Sequence, residues 1–419
     1  MVNKTVLENG LRIVSERVDH FRSVSLGIWV NVGSRDEGEW ENGVSHFIEH
    51  MIFKGTPIRN SLRIAKELDA IGGLSNAFTG TEYTCFHSRV LDKHLPALAD
   101  ILSDIFLHSL FDPQDMNRER QVILQEINML EDTPDEQIHV LFSGLFWMDH
   151  PLGMPVMGTP RTVSAIDKDT VLSHIGRFYT PGRIIIAAAG NVDHEALVKH
   201  LRPLFESLPK DADGPVRTAP RSHTAVSCRY KDLEQVHLCL GGTAPPVSSE
   251  LRFAGAVLNT ILGGNMSSRL FQEIREKRGL AYNVYSFLSS FLDAGVMGVY
   301  LGTDAKNANR ALKVIQREIK KIQQGKISRA DLRATKEHLI GGVLLSSENT
   351  DTQMMRLAKN ETLFGRYVGF DEIVARIEKV SVDEVVAVAA QAFKGRNVSL
   401  VTLGPLEEKD LDLDTVAFD

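Results

Sequence analysis

Residues 46 to 50 read His-Phe-Ile-Glu-His. On a helix, positions i and i+4 share a face, with their Cβ atoms about 5–6 Å apart. His46 and His50 can therefore present two imidazole nitrogens to one cation. Glu49 follows His46 by three residues and lies on the same side. From there it can reach a water beside the metal without being a ligand, as a general base must. The order inverts the more familiar zinc-protease motif. With 14 histidines in 419 residues, chance produces such a pattern on the order of 0.03 times per chain. A plain surface helix with a histidine pair fits poorly, because Val44, Phe47, Ile48, Met51, Ile52 and Phe53 are all apolar. A polar, ionisable triplet on so apolar a helix calls for compensation, which a bound cation supplies.

A catalytic zinc takes three protein ligands and keeps a fourth position open. The stretch MNRERQVILQEINMLED, from Met116 to Asp132, is the candidate source of the third. Glu119 and Glu126 are seven residues apart, two helical turns, and share a face. Glu126 is the candidate ligand, and Glu119 would hold a ligating histidine in its tautomer. Spacing alone weighs this evenly against a solvated acidic face, the reading that suits Glu131 and Asp132.

These residues need a scaffold. At 419 residues the chain is too long for one core and predicts two or three domains. The turn-rich stretch LPKDADGPVRTAPRSHT, residues 208 to 224, reads as a connection near the middle. The expected division is a metal-binding domain over 1–210, a linker over 211–222 and a related domain over 223–419. A weak internal repeat supports it. SLRIAKELDAIGGLSNAF from Ser61 aligns at an offset of 206 with SSRLFQEIREKRGLAYNV from Ser267. Glu67 meets Glu273, Gly73 meets Gly279, and Leu74 meets Leu280. Both copies read as a helix, a glycine stop and a strand. Val24, Leu26, Ile28, Val30 and Val32 alternate, as do Val236, Leu238 and Leu240, predicting half-buried strands. Helical stretches are expected at 41–54 and 249–262, and a helix opens at Asp112–Pro113 with an N-cap and proline at N1. The fold class is α+β: two related domains, each a mainly antiparallel sheet with helices on one face. At the same offset the second half has Arg252, Gly255 and Ala256, so no second metal site is expected.

The net charge of -7 and the lack of a basic block argue against nucleic acid as a partner. No apolar run of about 20 residues exists to span a membrane. The N-terminus lacks the pattern of a secretory signal. Three cysteines, Cys85, Cys228 and Cys239, form no disulfide framework, which fits a reducing compartment, the cytoplasm.

The segment HFIEHMIFKGT resembles the zinc helix of the pitrilysin–insulinase (M16) family of metallopeptidases. It is most similar to the branch containing the mitochondrial processing peptidase beta subunit and its bacterial relatives. NAFTGTEYTCF, the helix with Glu119 and Glu126, HPLGMPVMGT and SSRLFQEIREKRGLAYNVYS extend the resemblance over nearly the whole chain. It implies one zinc ion per chain, with Glu126 as third ligand and Glu119 as a further site residue. It also implies that a strand at Asn76, Ala77 and Phe78 pairs with the substrate backbone. Arg275 and Tyr282 would contact substrate and stabilise the oxyanion. Two departures stand out: Asn265 in LGGN, where relatives often have a third glycine, and TGTEY after Phe78. The expected function is a zinc endopeptidase for peptides or unfolded polypeptide segments, assembled as a homodimer. The alternatives are a non-catalytic scaffold subunit or an active subunit that needs a partner chain.

Overall fold

A computed structural model describes residues 1–210, 216–395 and 398–418. The first five positions of the expected linker, 211–215, lie outside the described residues. The chain forms two compact units: residues 1–128, 154–217 and 345–368 make the first, and residues 129–153, 218–344 and 369–419 the second. Each unit therefore takes one segment from the opposite half of the chain.

The first unit holds a six-stranded sheet. Its strands are β1 (Val2–Val6), β2 (Arg12–Arg17), β3 (Ser23–Val30), β4 (Leu74–Thr79), β5 (Thr84–Leu91) and β6 (Ile184–Gly190). They run in the order β1-β2-β6-β3-β5-β4. Only the β2–β6 pair is parallel. On the inner face lie α1 (Val44–Ile52), α2 (Ser61–Ala70), α3 (Leu95–His108) and α4 (Pro113–Glu131). The second unit holds β7 (Val226–Tyr230), β8 (Val236–Thr243), β9 (Ala281–Ser290), β10 (Gly295–Thr303) and β11 (Ser399–Gly404), in the order β7-β11-β8-β10-β9. Here too one pair, β7–β11, is parallel and the rest antiparallel. The shared pattern matches the internal repeat. The repeat shifts by one residue at the turn. The left-handed glycines are Gly72 (φ 64°) and Gly279 (φ 56°), and β9 starts at Ala281. The second copy of the preceding helix, Phe271–Glu276, is wound as a π-helix, a form that often marks a functional site.

Helices do not stay on one face, and this corrects the half-buried strands read from alternation. All but the first residue of β3 are buried. The helix Thr350–Phe364, from late in the chain, covers the outer face of the first sheet. The Trp29 indole nitrogen stands 3.3 Å from the Met354 sulfur. Ser25 Oγ donates to Thr350 Oγ1 at 2.8 Å. Gly27 keeps that helix close, since a Cβ there would meet the Met354 sulfur at 2.6 Å. In the second unit, α5 (Pro134–Phe146) plays the same part against β8 and β11. Its Ile138, Phe142 and Phe146 pack with Cys239, Val401 and Leu403. No helix among the described residues is long and apolar enough to cross a membrane.

Candidate metal centre

The motif helix α1 is anchored by its apolar face. Val44, Phe47, Ile48, Met51 and Ile52 are at most 1% exposed, each contributing roughly 1.5–3 kcal/mol where fully buried. That burial turns His46, Glu49 and His50, which are only partly covered, to the other side. The entry to the helix is a left-handed residue, Gly43 (φ 95°), where a Cβ would meet the Met157 carbonyl oxygen at 2.7 Å. Glu37 caps this end. The amides of Gly43 and Ser45 donate to its carboxylate at 2.7 and 2.8 Å, and Asn42 Nδ2 donates at 3.0 Å. Burial, partly offset by these hydrogen bonds, pushes the Glu37 carboxyl up to about 7.

His46, His50 and Glu126 converge, with one donor atom from each lying within 4.8 Å of the others. Glu126 Oε2 is 3.8 Å from His46 Nε2 and 3.5 Å from His50 Nε2. Tetrahedral zinc with bonds of 2.0–2.1 Å sets neighbouring donors about 3.4 Å apart. Two imidazoles and a carboxylate are moreover a donor set of catalytic zinc. Burial first, then the nearby His50, holds the His46 imidazole down to about 4, so it is neutral as a ligand must be. His50 Nδ1 faces Glu119 Oε2 at 3.2 Å, which turns its Nε2 toward Glu126. These residues fit a metal ion. Among the described residues no other histidine, cysteine and carboxylate group does so.

Glu49 lies beside this trio. The Thr79 hydroxyl, at the end of β4, donates to Glu49 Oε2 at 2.5 Å. Burial raises the Glu49 carboxyl above its usual range, opposed by the Thr79 hydrogen bond and by His50. On the other side of Glu119, Lys54 Nζ stands 2.6 Å from Oε1. Neither Thr79 nor Lys54 was singled out from sequence. Lys54 carried a signal, four residues beyond His50.

Strand β4 is an edge of its sheet. Asn76 and Ala77 line a cleft of about 510 Å³ together with Glu49, His50, Lys54 and Leu68. Phe78 points elsewhere: its ring meets Trp29 edge-on at 5.5 Å. The TGTEY departure makes a tight β4–β5 turn, and Glu82 within it pairs with the buried Arg35 at 2.7 Å. Glu131 and Asp132 are exposed. Arg275 and Tyr282 belong to the second unit. The Arg275 guanidinium lies 4.8 Å from the Phe271 ring and 4.4 Å from the Tyr282 ring. Tyr282 is 76% exposed, so it is no core residue.

Two family models match the chain in tandem. The one described as insulinase (peptidase family M16) covers residues 12–160. The one described as peptidase M16 inactive domain covers residues 165–339. An uncharacterized zinc protease of Streptomyces coelicolor is 41% identical over 416 residues, 97% of this chain and 90% of the relative. The uncharacterized zinc protease YmxG of Bacillus subtilis is 39% identical over 393 residues, 94% of this chain and 96% of the relative. A protease from Helicobacter pylori of known crystal structure aligns with a TM-score of 0.89 at 21% identity, over 96% of this chain and 99% of that one. That likeness concerns the fold. The chain belongs to the insulinase family, peptidase family M16.

Proposed function

We propose that this chain is a zinc-dependent endopeptidase acting on peptides or unfolded polypeptide segments. The observation that carries the reading is the convergence of His46, His50 and Glu126 beside Glu49. The relatives' name, zinc protease, points the same way. One such donor group among the described residues supports one ion per chain.

Zinc in this cage would act as a Lewis acid on the scissile carbonyl and bring the pKa of water to about 7. Glu49 takes the proton from the attacking water and hands it to the leaving amine. Its raised proton affinity suits both transfers, and the Thr79 hydroxyl holds the carboxylate in place through Oε2. Glu119 keeps His50 oriented. The free edge of β4 at Asn76, Ala77 and Phe78 offers main-chain groups to an extended peptide. The cleft, walled by Phe53, Ile64 and Leu68, accepts an apolar side chain next to the cleaved bond. For Arg275 and Tyr282, substrate contact and oxyanion stabilisation rest on the family resemblance and on the stacked presentation of the two side chains. The chain works as a homodimer in the cytoplasm, a location supported by its three unpaired cysteines.

E49Q tests the reading. Hydrolysis of an unstructured peptide library by the purified chain should be EDTA-sensitive. It should fall by roughly 10²–10⁴-fold in E49Q, with zinc stoichiometry unchanged. Normal cleavage by E49Q removes Glu49 as the base. A chain that purifies without zinc and is indifferent to chelators is a scaffold.

A further inference from the structure

We propose that Lys54 is a positioning residue of the metal centre, holding Glu119 in the one orientation that directs His50 at the ion. The inference rests on the zinc reading above and deepens it. Lys54 follows His50 by four residues and lies two past the end of α1 at Ile52, where the chain turns away from the helix. Its Nζ meets Glu119 Oε1 at 2.6 Å, while Glu119 Oε2 faces His50 Nδ1 at 3.2 Å. Both oxygens of this carboxylate are thus engaged.

The arrangement has two physical effects. A carboxylate bound through one oxygen can turn about its terminal torsion, which is broad and roughly two-fold. The ammonium group removes that freedom, and with it the freedom of the His50 ring. It also holds Glu119, whose side chain is only 12% exposed, away from the open coordination position that a hydrolytic zinc must keep. Charge supports the assignment. The carboxyl groups of Glu49, Glu119 and Glu126 crowd one small volume, and Lys54 brings a cationic side chain to one of them. Lys54 also borders the cleft, with its ammonium turned to Glu119.

The test is the zinc dissociation constant of the apoprotein, read by competition with a chelator, for wild type, K54M, K54R, E119Q and the double variant K54M/E119Q. Circular dichroism of each apoprotein checks folding. K54M should bind zinc about 10- to 100-fold more weakly. K54R should recover most of the loss, and K54M should cost little more once Glu119 is Gln. Should K54M fail to fold, K54Q takes its place with the same expectations. Wild-type affinity in K54M alongside a weakened E119Q overturns the proposal, as do penalties that multiply in full in the double variant. H46A and E126Q serve as controls. If they too bind zinc like wild type, the metal reading itself falls, and that outcome is distinct from a failure confined to Lys54.

Discussion

The Thr79 hydroxyl donates to Glu49 Oε2 at 2.5 Å, joining the last residue of the edge strand β4 to the carboxylate on α1. The strand proposed to receive the substrate thereby also fixes the proposed base. T79V should lower kcat about 10-fold, a part of the 10²–10⁴ that a positioned base supplies. T79S, which keeps the hydroxyl, should restore most of it. Zinc content should be unchanged in both. Equal kcat for T79V and wild type would separate this hydrogen bond from turnover.

Zinc should stabilise the fold as well as enable chemistry. At a free concentration 100 times its dissociation constant, a ligand bound only by the folded state adds about 2.7 kcal/mol. Zinc should therefore raise the Tm of the wild-type apoprotein, and EDTA should reverse the rise. E126Q removes the carboxylate that lies 3.5 Å from His50 Nε2 and 3.8 Å from His46 Nε2, and most of the rise should vanish with it. A full rise in E126Q would place the ion elsewhere.

Glu37 predicts a pH dependence of unusual sign. Its carboxyl is pushed from 4.5 up to about 7 by burial in the folded chain. Between these values the folded state holds a proton that the unfolded state has released. The resulting stability is complete below about 4.5 and is lost as pH rises through about 7. At 1.36 kcal/mol per pKa unit the loss is roughly 3 kcal/mol. E37Q stays neutral throughout, so its stability relative to wild type should rise by about this amount from pH 4.5 to pH 8. Urea denaturation of both proteins at the two pH values measures the difference, and parallel pH profiles would refute it.

Met354 is fully buried against the outer face of the first sheet. M354A should cost roughly 2–5 kcal/mol in the unfolding of the first unit. The measurement is the shift in the urea midpoint. A shift worth under about 0.5 kcal/mol, the range of ordinary surface substitutions, would mean that the helix Thr350–Phe364 is no part of that core.

What could be read from the sequence was local. The spacing of His46, Glu49 and His50 needs only one helix, and the glycine turns of the repeat need only a few residues on either side. Glu126 was harder, because its spacing from Glu119 sets a common face without saying what that face meets. The covering helices were harder still. The i, i+4, i+8 spacing of Ile138, Phe142 and Phe146 marks an apolar stripe, but it does not say which sheet the stripe covers. A signal for a doubly buried sheet did exist. Ile184–Gly190 reads IIIAAAG and is buried at every position, and Ser25 and Gly27 stand where a solvent-facing strand would place larger polar residues. Glu37 was not legible because two of its donors are backbone amides, and every backbone carries those. The pairing of Arg35 with Glu82 closes across 47 residues of sequence.

The exchanged segments bear on how the polypeptide can be divided. A fragment ending at residue 210 would contain all three proposed ligands and the base. It would lack residues 345–368, however, and leave Trp29, Cys85 and Ala187 without the helix that covers them. The complementary fragment would lack α5 and leave Tyr300 and Val401 bare. Cutting the chain at its midpoint thus strips each piece of a covering helix and leaves an apolar sheet face open to water on both.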